Sequence, residues 1–139
     1  MPRLIVAVVL IAIAIVVALL LRRRRPQAPT QPRWQVPTQL DRADFERPDS
    51  PWLVALFSSA RCDSCEAAAA KASLLASHDV AYQDISYQTS RDLHERYSVD
   101  VVPMILLADR EGVVRASFIG TPAATDLWAA VAAARESAN

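Results

Sequence analysis

Between Leu4 and Leu21 the chain runs through eighteen consecutive residues drawn only from Leu, Ile, Val and Ala. Such a stretch has no polar face, and as a helix it is about 27 Å long, close to the roughly 30 Å hydrocarbon core of a bilayer. A buried core helix is one alternative, but the hundred or so residues left over are too few to enclose an element apolar on every side. A cleaved signal peptide is another. Against it, no small-x-small cleavage site precedes the polar region, and the apolar run stops directly at Arg22 to Arg25. The expectation is one transmembrane helix over 4–21, a basic stop and proline-rich linker over 22–35, and a folded domain over 36–139. A total of 139 residues leaves room for one such domain.

Fifteen basic and fifteen acidic side chains sum to zero net charge, but they are unevenly placed. Residues 1–39 carry six arginines and no acid, a net +6, and residues 40–139 carry nine basic and fifteen acidic groups, a net −6. The arginines at 22–25 outweigh Arg3 and the α-amino group, so the positive-inside rule puts the C-terminal domain in the cytoplasm of a single-pass membrane protein. Read as a nucleic-acid patch, the same run is weaker, because its place beside the span already accounts for it. The acidic domain gives nucleic acid no reason to bind. Pro26, Pro29, Pro32 and Pro37 then mark an extended spacer, up to roughly 40 Å long at about 3.1 Å per residue.

From about Gln35 onward the pattern is that of an α/β domain. Val36 to Leu40 reads as a short strand and Asp41 to Glu46 as a brief helix capped by Asp41. Trp52 to Phe57 is a continuous apolar run, as expected of a strand covered on both faces. Cys62 to Ala76 reads as a helix, Val80 to Tyr87 as a strand, Ser90 to Tyr97 as a charged surface helix and Pro103 to Ala108 as a second buried strand. Asp109 to Gly112 makes a hairpin turn into Val113 to Ile119. A last helix is expected with Thr121 as cap, Pro122 at its first position and Leu127, Trp128 and Val131 as its buried stripe. The order implies a central mixed sheet with helices on both faces. His78 and His94 fall in charged stretches and read as surface residues, while Trp52, Trp128 and Tyr97 read as packing residues.

The only two cysteines, Cys62 and Cys65, stand as Cys-Asp-Ser-Cys between the apolar strand and the helix after it. A thiol at a helix start meets the positive end of the helix dipole and free N–H groups, which favour the thiolate. A second thiol one turn on can displace the first from a mixed disulfide. Zinc would need further ligands, and although His78 has a finger-like gap from Cys65, His94 is too far beyond it. A structural disulfide closing so small a loop constrains the unfolded chain little. Redox exchange is the reading these residues favour, with no metal and no cofactor.

The stretch WLVALFSSARCDSCE, then Val102-Pro103, MILLAD, the turn REG, VVRASFIG and a closing helix, resembles the thioredoxin family over roughly residues 36–139. Within it the chain is most similar to short membrane-anchored actinobacterial members whose apolar helix also ends in arginines. The resemblance implies a thioredoxin-like α/β fold. It also implies Cys62 as the attacking and Cys65 as the resolving catalytic thiol, and a cis-proline loop at Val102-Pro103. With Gly120 and Arg61, that loop makes the candidate substrate-binding surface. Three departures stand out: Arg61 replaces the usual tryptophan, Asp63-Ser64 replaces Gly-Pro, and Leu56 stands where the family has a buried aspartate, with no matching lysine on the next strand. Asp63 and Glu66 oppose the thiolate while Arg61 and the helix end favour it. Losing the buried acid implies slower disulfide reduction or a specialised partner.

The function expected is therefore a membrane-anchored thiol-disulfide oxidoreductase acting on protein thiols and disulfides. With no nucleotide, flavin or metal motif, its electrons come from a separate reductase or a low-molecular-weight thiol. Two alternatives stand beside it: an extracytoplasmic domain serving envelope disulfides or cytochrome maturation, and a non-enzymatic redox-sensing or interaction module.

Overall fold

A computed structural model of the chain describes residues 34–138, together with residues 1, 11–13 and 15. The chain divides into two units, Met1–Arg33 and Trp34–Asn139. The span expected over 4–21 and the basic, proline-rich stretch over 22–35 lie almost wholly outside the described residues. Residues 11–13 and 15 are helical, and among the described residues no helix is long and apolar enough to cross a membrane.

The second unit is built on β1 (Trp52–Ser58), all seven residues of which are buried. β1 lies inside a four-stranded sheet of order β2-β1-β3-β4, with β2 at Val80–Ser86, β3 at Met104–Ala108 and β4 at Val114–Ile119. It pairs in parallel with β2, from Trp52 beside Val80 to Ser58 beside Ser86, and antiparallel with β3. β3 and β4 form the hairpin expected around the turn at Asp109 to Gly112. Successive side chains of a strand point to opposite faces. Trp52, Val54 and Leu56 accordingly join one core, with residues of α1 (Cys65–Ala72) and α3 (Ala124–Ser137). Leu53, Ala55 and Phe57 join the other, with Leu40, Phe45 and the side chains of Leu93 and Tyr97 at α2 (Arg91–Arg96). The sheet is thus covered by helices on both faces, which explains why β1 shows no polar alternation.

Several local expectations are corrected. The strand at Val36 to Leu40 shrinks to a single bridge between Gln39 and Val113, and Pro37, which has no N–H, cannot extend that ladder. Asp41 caps as expected, accepting a hydrogen bond from the Ala43 N–H, but the helix it starts is one 3-10 turn over Arg42–Asp44. The last helix begins at Ala124 with Ala123 as its cap residue, not at Pro122 behind a Thr121 cap. Its buried stripe is Leu127, Val131 and Ala134, spaced at i, i+4 and i+7, and Trp128 lies off that stripe at 52% exposure.

His94 is not a surface residue. It is buried in α2, donates from Nε2 to the Ile85 carbonyl at 2.8 Å, and meets the rings of Phe57 and Tyr87 edge-on. Arg42 is likewise buried. Its Nη1 donates to the carbonyls of Ser50 at 3.0 Å and Asp109 at 2.8 Å, fastening the first turn to the β3–β4 turn. Burial pulls its pKa below the usual arginine value.

Gly112 closes the β3–β4 turn at φ 81°, and a Cβ there would stand 1.9 Å from the Leu40 carbonyl oxygen. Alanine would therefore be strained in both conformation and space. Gly112→Ala is expected to cost at least about 2 kcal/mol in urea denaturation, and an unshifted midpoint would contradict this account of the turn.

Candidate functional site

β1 ends at Ser58, and the loop after it carries the redox motif. The Cys62 N–H bonds to the Ser59 carbonyl at 3.0 Å, and the Cys65 N–H bonds to the Cys62 carbonyl at 3.2 Å. α1 starts at Cys65, so Cys62 sits in the turn just ahead of the helix rather than within it. The two sulfurs are joined in a disulfide, with the Cα atoms 5.4 Å apart. They differ sharply in access: Cys62 is half-buried, whereas Cys65 is 5% exposed. An incoming sulfur can reach Cys62 alone. The Ser64 hydroxyl lies 3.7 Å from the Cys62 sulfur, within the range of a weak O–H hydrogen bond to sulfur.

Two further loops reach this motif. The Val102–Pro103 peptide is cis, as the resemblance implied, and the Pro103 carbonyl accepts the Gly120 N–H at 2.9 Å. Gly120 has φ 89°, with nothing within 4 Å of where a Cβ would stand, so backbone conformation rather than crowding favours glycine there. The next residue, Thr121, donates its hydroxyl to the Ser64 carbonyl at 3.4 Å, which joins the Pro103–Gly120 pair to the cysteine loop. Lys71 adds a bond from α1 to the Pro122 carbonyl at 3.0 Å. Cys62, Cys65, Val102, Pro103 and Gly120 thus belong to one connected set of loops. Arg61 projects from the cysteine loop into a separate hollow with Ser59, Tyr87, Gln88 and Arg91.

Sequence reading named Asp63 and Glu66 beside the thiolate but missed Asp84, the third acid of the site. A cavity of about 550 Å³ is lined by both cysteines, Asp63, Glu66, Ser58 and Asp84. Asp84 stands on β2 directly beside Leu56 of β1 and accepts a hydrogen bond from the Ser58 hydroxyl. A carboxylate is therefore present one strand over from the position where Leu56 departs from the family pattern. The available signal was an acid within the strand Val80–Ser86, but its value depended on knowing the register. Tyr82, two residues earlier on β2, is pushed up to about 12 by burial and then by the Asp84 charge, so it stays a neutral phenol. His78 lies away from the site, fully exposed and paired with Asp79 at 2.9 Å. Among the described residues no group of His, Cys, Asp and Glu is arranged to hold a metal.

No protein-family model matches the chain, and no curated protein matches it. Solved structures do. Mitochondrial thioredoxin 3 of Saccharomyces cerevisiae, in its oxidised form, is 23% identical with a TM-score of 0.50, covering 59% of this chain and 77% of that one. Thioredoxin-2, described as a component of the malaria parasite protein secretion machinery, is 18% identical with a TM-score of 0.53, covering 58% of this chain and 81% of that one. A single-site variant of the thioredoxin of Halobacterium salinarum is 22% identical with a TM-score of 0.50, covering 58% and 71%. The folded unit of this chain has the thioredoxin-like α/β fold.

Proposed function

We propose that the chain is a membrane-anchored thiol-disulfide oxidoreductase whose working pair is Cys62 and Cys65. The observation that carries this reading is the disulfide itself, with one sulfur open to a partner and the other shielded, at the start of a helix and tied to the cis-proline loop. In the reduced protein the Cys62 thiolate attacks one sulfur of a protein disulfide. That S–S bond breaks, one partner sulfur leaves as a thiolate, and Cys62 is held in a mixed disulfide. The Cys65 thiol then loses its proton and attacks the Cys62 sulfur, which expels the second partner thiolate and restores the Cys62–Cys65 disulfide. Two electrons pass from the chain to the substrate. A separate reductase or a low-molecular-weight thiol returns them.

Cys65 is buried, and a buried thiol does not ionise readily, so its proton needs an acceptor close by. Asp84, held by Ser58 in the cavity that Cys65 lines, is the acceptor in this reading. The partly exposed backbone of Val102 beside the cis peptide, with Gly120, receives the substrate segment, and Arg61 contributes from its own hollow on the cysteine loop.

The apolar stretch over 4–21 and the arginines at 22–25 support a single-pass anchor with the domain on the cytoplasmic side. An oxidising compartment would instead favour the reverse direction of exchange. Labelling of Cys62 in intact cells by a membrane-impermeant alkylator, after mild reduction, separates the two sides: protection is expected, and labelling would place the domain outside.

The catalytic reading is tested by insulin reduction with dithiothreitol as donor, using the full-length chain in detergent. Turnover well above that of the Cys62→Ser/Cys65→Ser variant is expected. Equal rates would favour a redox-sensing module instead.

A further inference from the structure

The two sides of the redox motif carry opposite charge. On one side, the cavity that holds the disulfide is lined by Asp63, Glu66 and Asp84 and by no basic residue. On the other, a hollow of about 490 Å³ is lined by Arg61, Arg91, Tyr87, Gln88 and Ser59 and by no acid. The two meet at Ser59, which lines both, so the boundary between negative and positive surface passes along the cysteine loop.

The basic side is ordered before anything binds. Gln88 accepts the Ala60 N–H at 2.9 Å and donates to the Ser59 hydroxyl at 3.0 Å, which fixes the β2–α2 loop against the cysteine loop. Arg91 is held over the Tyr87 ring at 5.7 Å and bonds through Nε to Glu95 at 2.7 Å, and its terminal nitrogens make no hydrogen bond among the described residues. Arg61, adjacent to Cys62, is exposed and its side chain pairs with no acid among the described residues. Two guanidinium groups, one of them pre-positioned, thus face one hollow beside the reactive sulfur. A planar fork of donors of this kind suits a carboxylate.

Resting on the oxidoreductase reading, we infer that the preferred substrate is a cysteine-containing peptide segment of opposed flanking charge. An acidic side chain on one side of the scissile cysteine enters the Arg61–Arg91 hollow, and a basic one on the other side lies against Asp63 and Glu66. The charges sort substrates by orientation as well as composition: a segment with the same residues in reverse order meets like charge on both sides.

The test compares three peptides with the cores Glu-Cys-Lys, Lys-Cys-Glu and Gln-Cys-Gln, each carried as a mixed disulfide with neutral β-mercaptoethanol. Single-turnover reduction by the full-length reduced chain in detergent is followed as a second-order rate constant at low salt. The two charged peptides share one composition and one net charge. One order is expected to exceed the other by about fivefold, with the neutral peptide between them, as two exposed charge contacts on each side would produce. The gap is expected to narrow in Arg61→Gln/Arg91→Gln, where Asp63 and Glu66 still discriminate, and independently to narrow in wild type at high salt. Rates for the two orders within a factor of two of each other, or a gap undiminished in the double arginine variant, would overturn the inference while leaving the oxidoreductase reading intact. Failure to reduce even the neutral peptide would overturn that reading, and this inference with it.

Discussion

Cys65→Ser should turn the chain from a turnover catalyst into a covalent trap. With the resolving sulfur gone, Cys62 still attacks a substrate disulfide and the first S–S bond still breaks. The second displacement has no internal nucleophile, so the mixed disulfide persists until an external thiol resolves it. The difference in access between the two sulfurs makes the outcome asymmetric, because Cys65 is 5% exposed and cannot take over attack from outside. Cys62→Ser is therefore expected to lose all turnover above background and to trap nothing, whereas Cys65→Ser loses multiple turnover but gains a partner in non-reducing electrophoresis and intact-mass measurement. A Cys65→Ser protein that accumulates no adduct with a disulfide peptide would refute the order of events proposed for the two thiols.

A second large effect is expected at Asp84. Removing a positioned proton acceptor typically costs on the order of a hundredfold or more in the step it serves. Asp84→Asn keeps the shape and the hydrogen bond from Ser58, so a deficit confined to resolution of the mixed disulfide points to proton transfer rather than to packing. The pH profile separates the two explanations further. At pH values where the buried Cys65 thiol stays protonated the wild type gains from an acceptor and the variant lags; the two rates converge only well above the ordinary thiol pKa of about 8.5, because burial raises it. Stopped-flow measurement across that range should show the gap closing as pH rises, and a constant gap would indicate a structural effect. Leu56→Asp places a carboxyl on β1 directly beside position 84. In the Asp84→Asn background it should recover part of the lost rate, despite the cost of burying a polar group at a fully enclosed position.

What the sequence made legible was whatever its neighbours in the chain determine. Trp52 to Phe57 announced a two-sided strand by its unbroken apolar run. Asp109 to Gly112 announced a hairpin by its turn chemistry, while the cis peptide at Val102-Pro103 was legible only through the family resemblance. What stayed hidden depends on partners far along the chain. His94 reads as one polar residue among charged neighbours until the Ile85 carbonyl and the Phe57 ring are brought to it. Nothing near Arg42 in the chain signals its burial, which comes from the Asp109 carbonyl sixty-seven residues away. Asp84 acquires a role only when the register sets it beside Leu56 and the Ser58 hydroxyl finds it. Trp128 erred in the other direction: its hydrophobicity suggested burial, but its phase on α3 turns it outward.

Because β1 feeds both cores and is enclosed on every side, its amides can reach solvent only when the whole unit opens. The cysteine loop, held by turn hydrogen bonds and by side-chain bonds from Gln88 and Thr121 rather than by a strand ladder, is free of that requirement. Electron transfer can therefore remodel the residues around Cys62 through many cycles without drawing on the cooperativity of the fold, and hydrogen exchange should find the fastest and the slowest amides of this unit only a few residues apart.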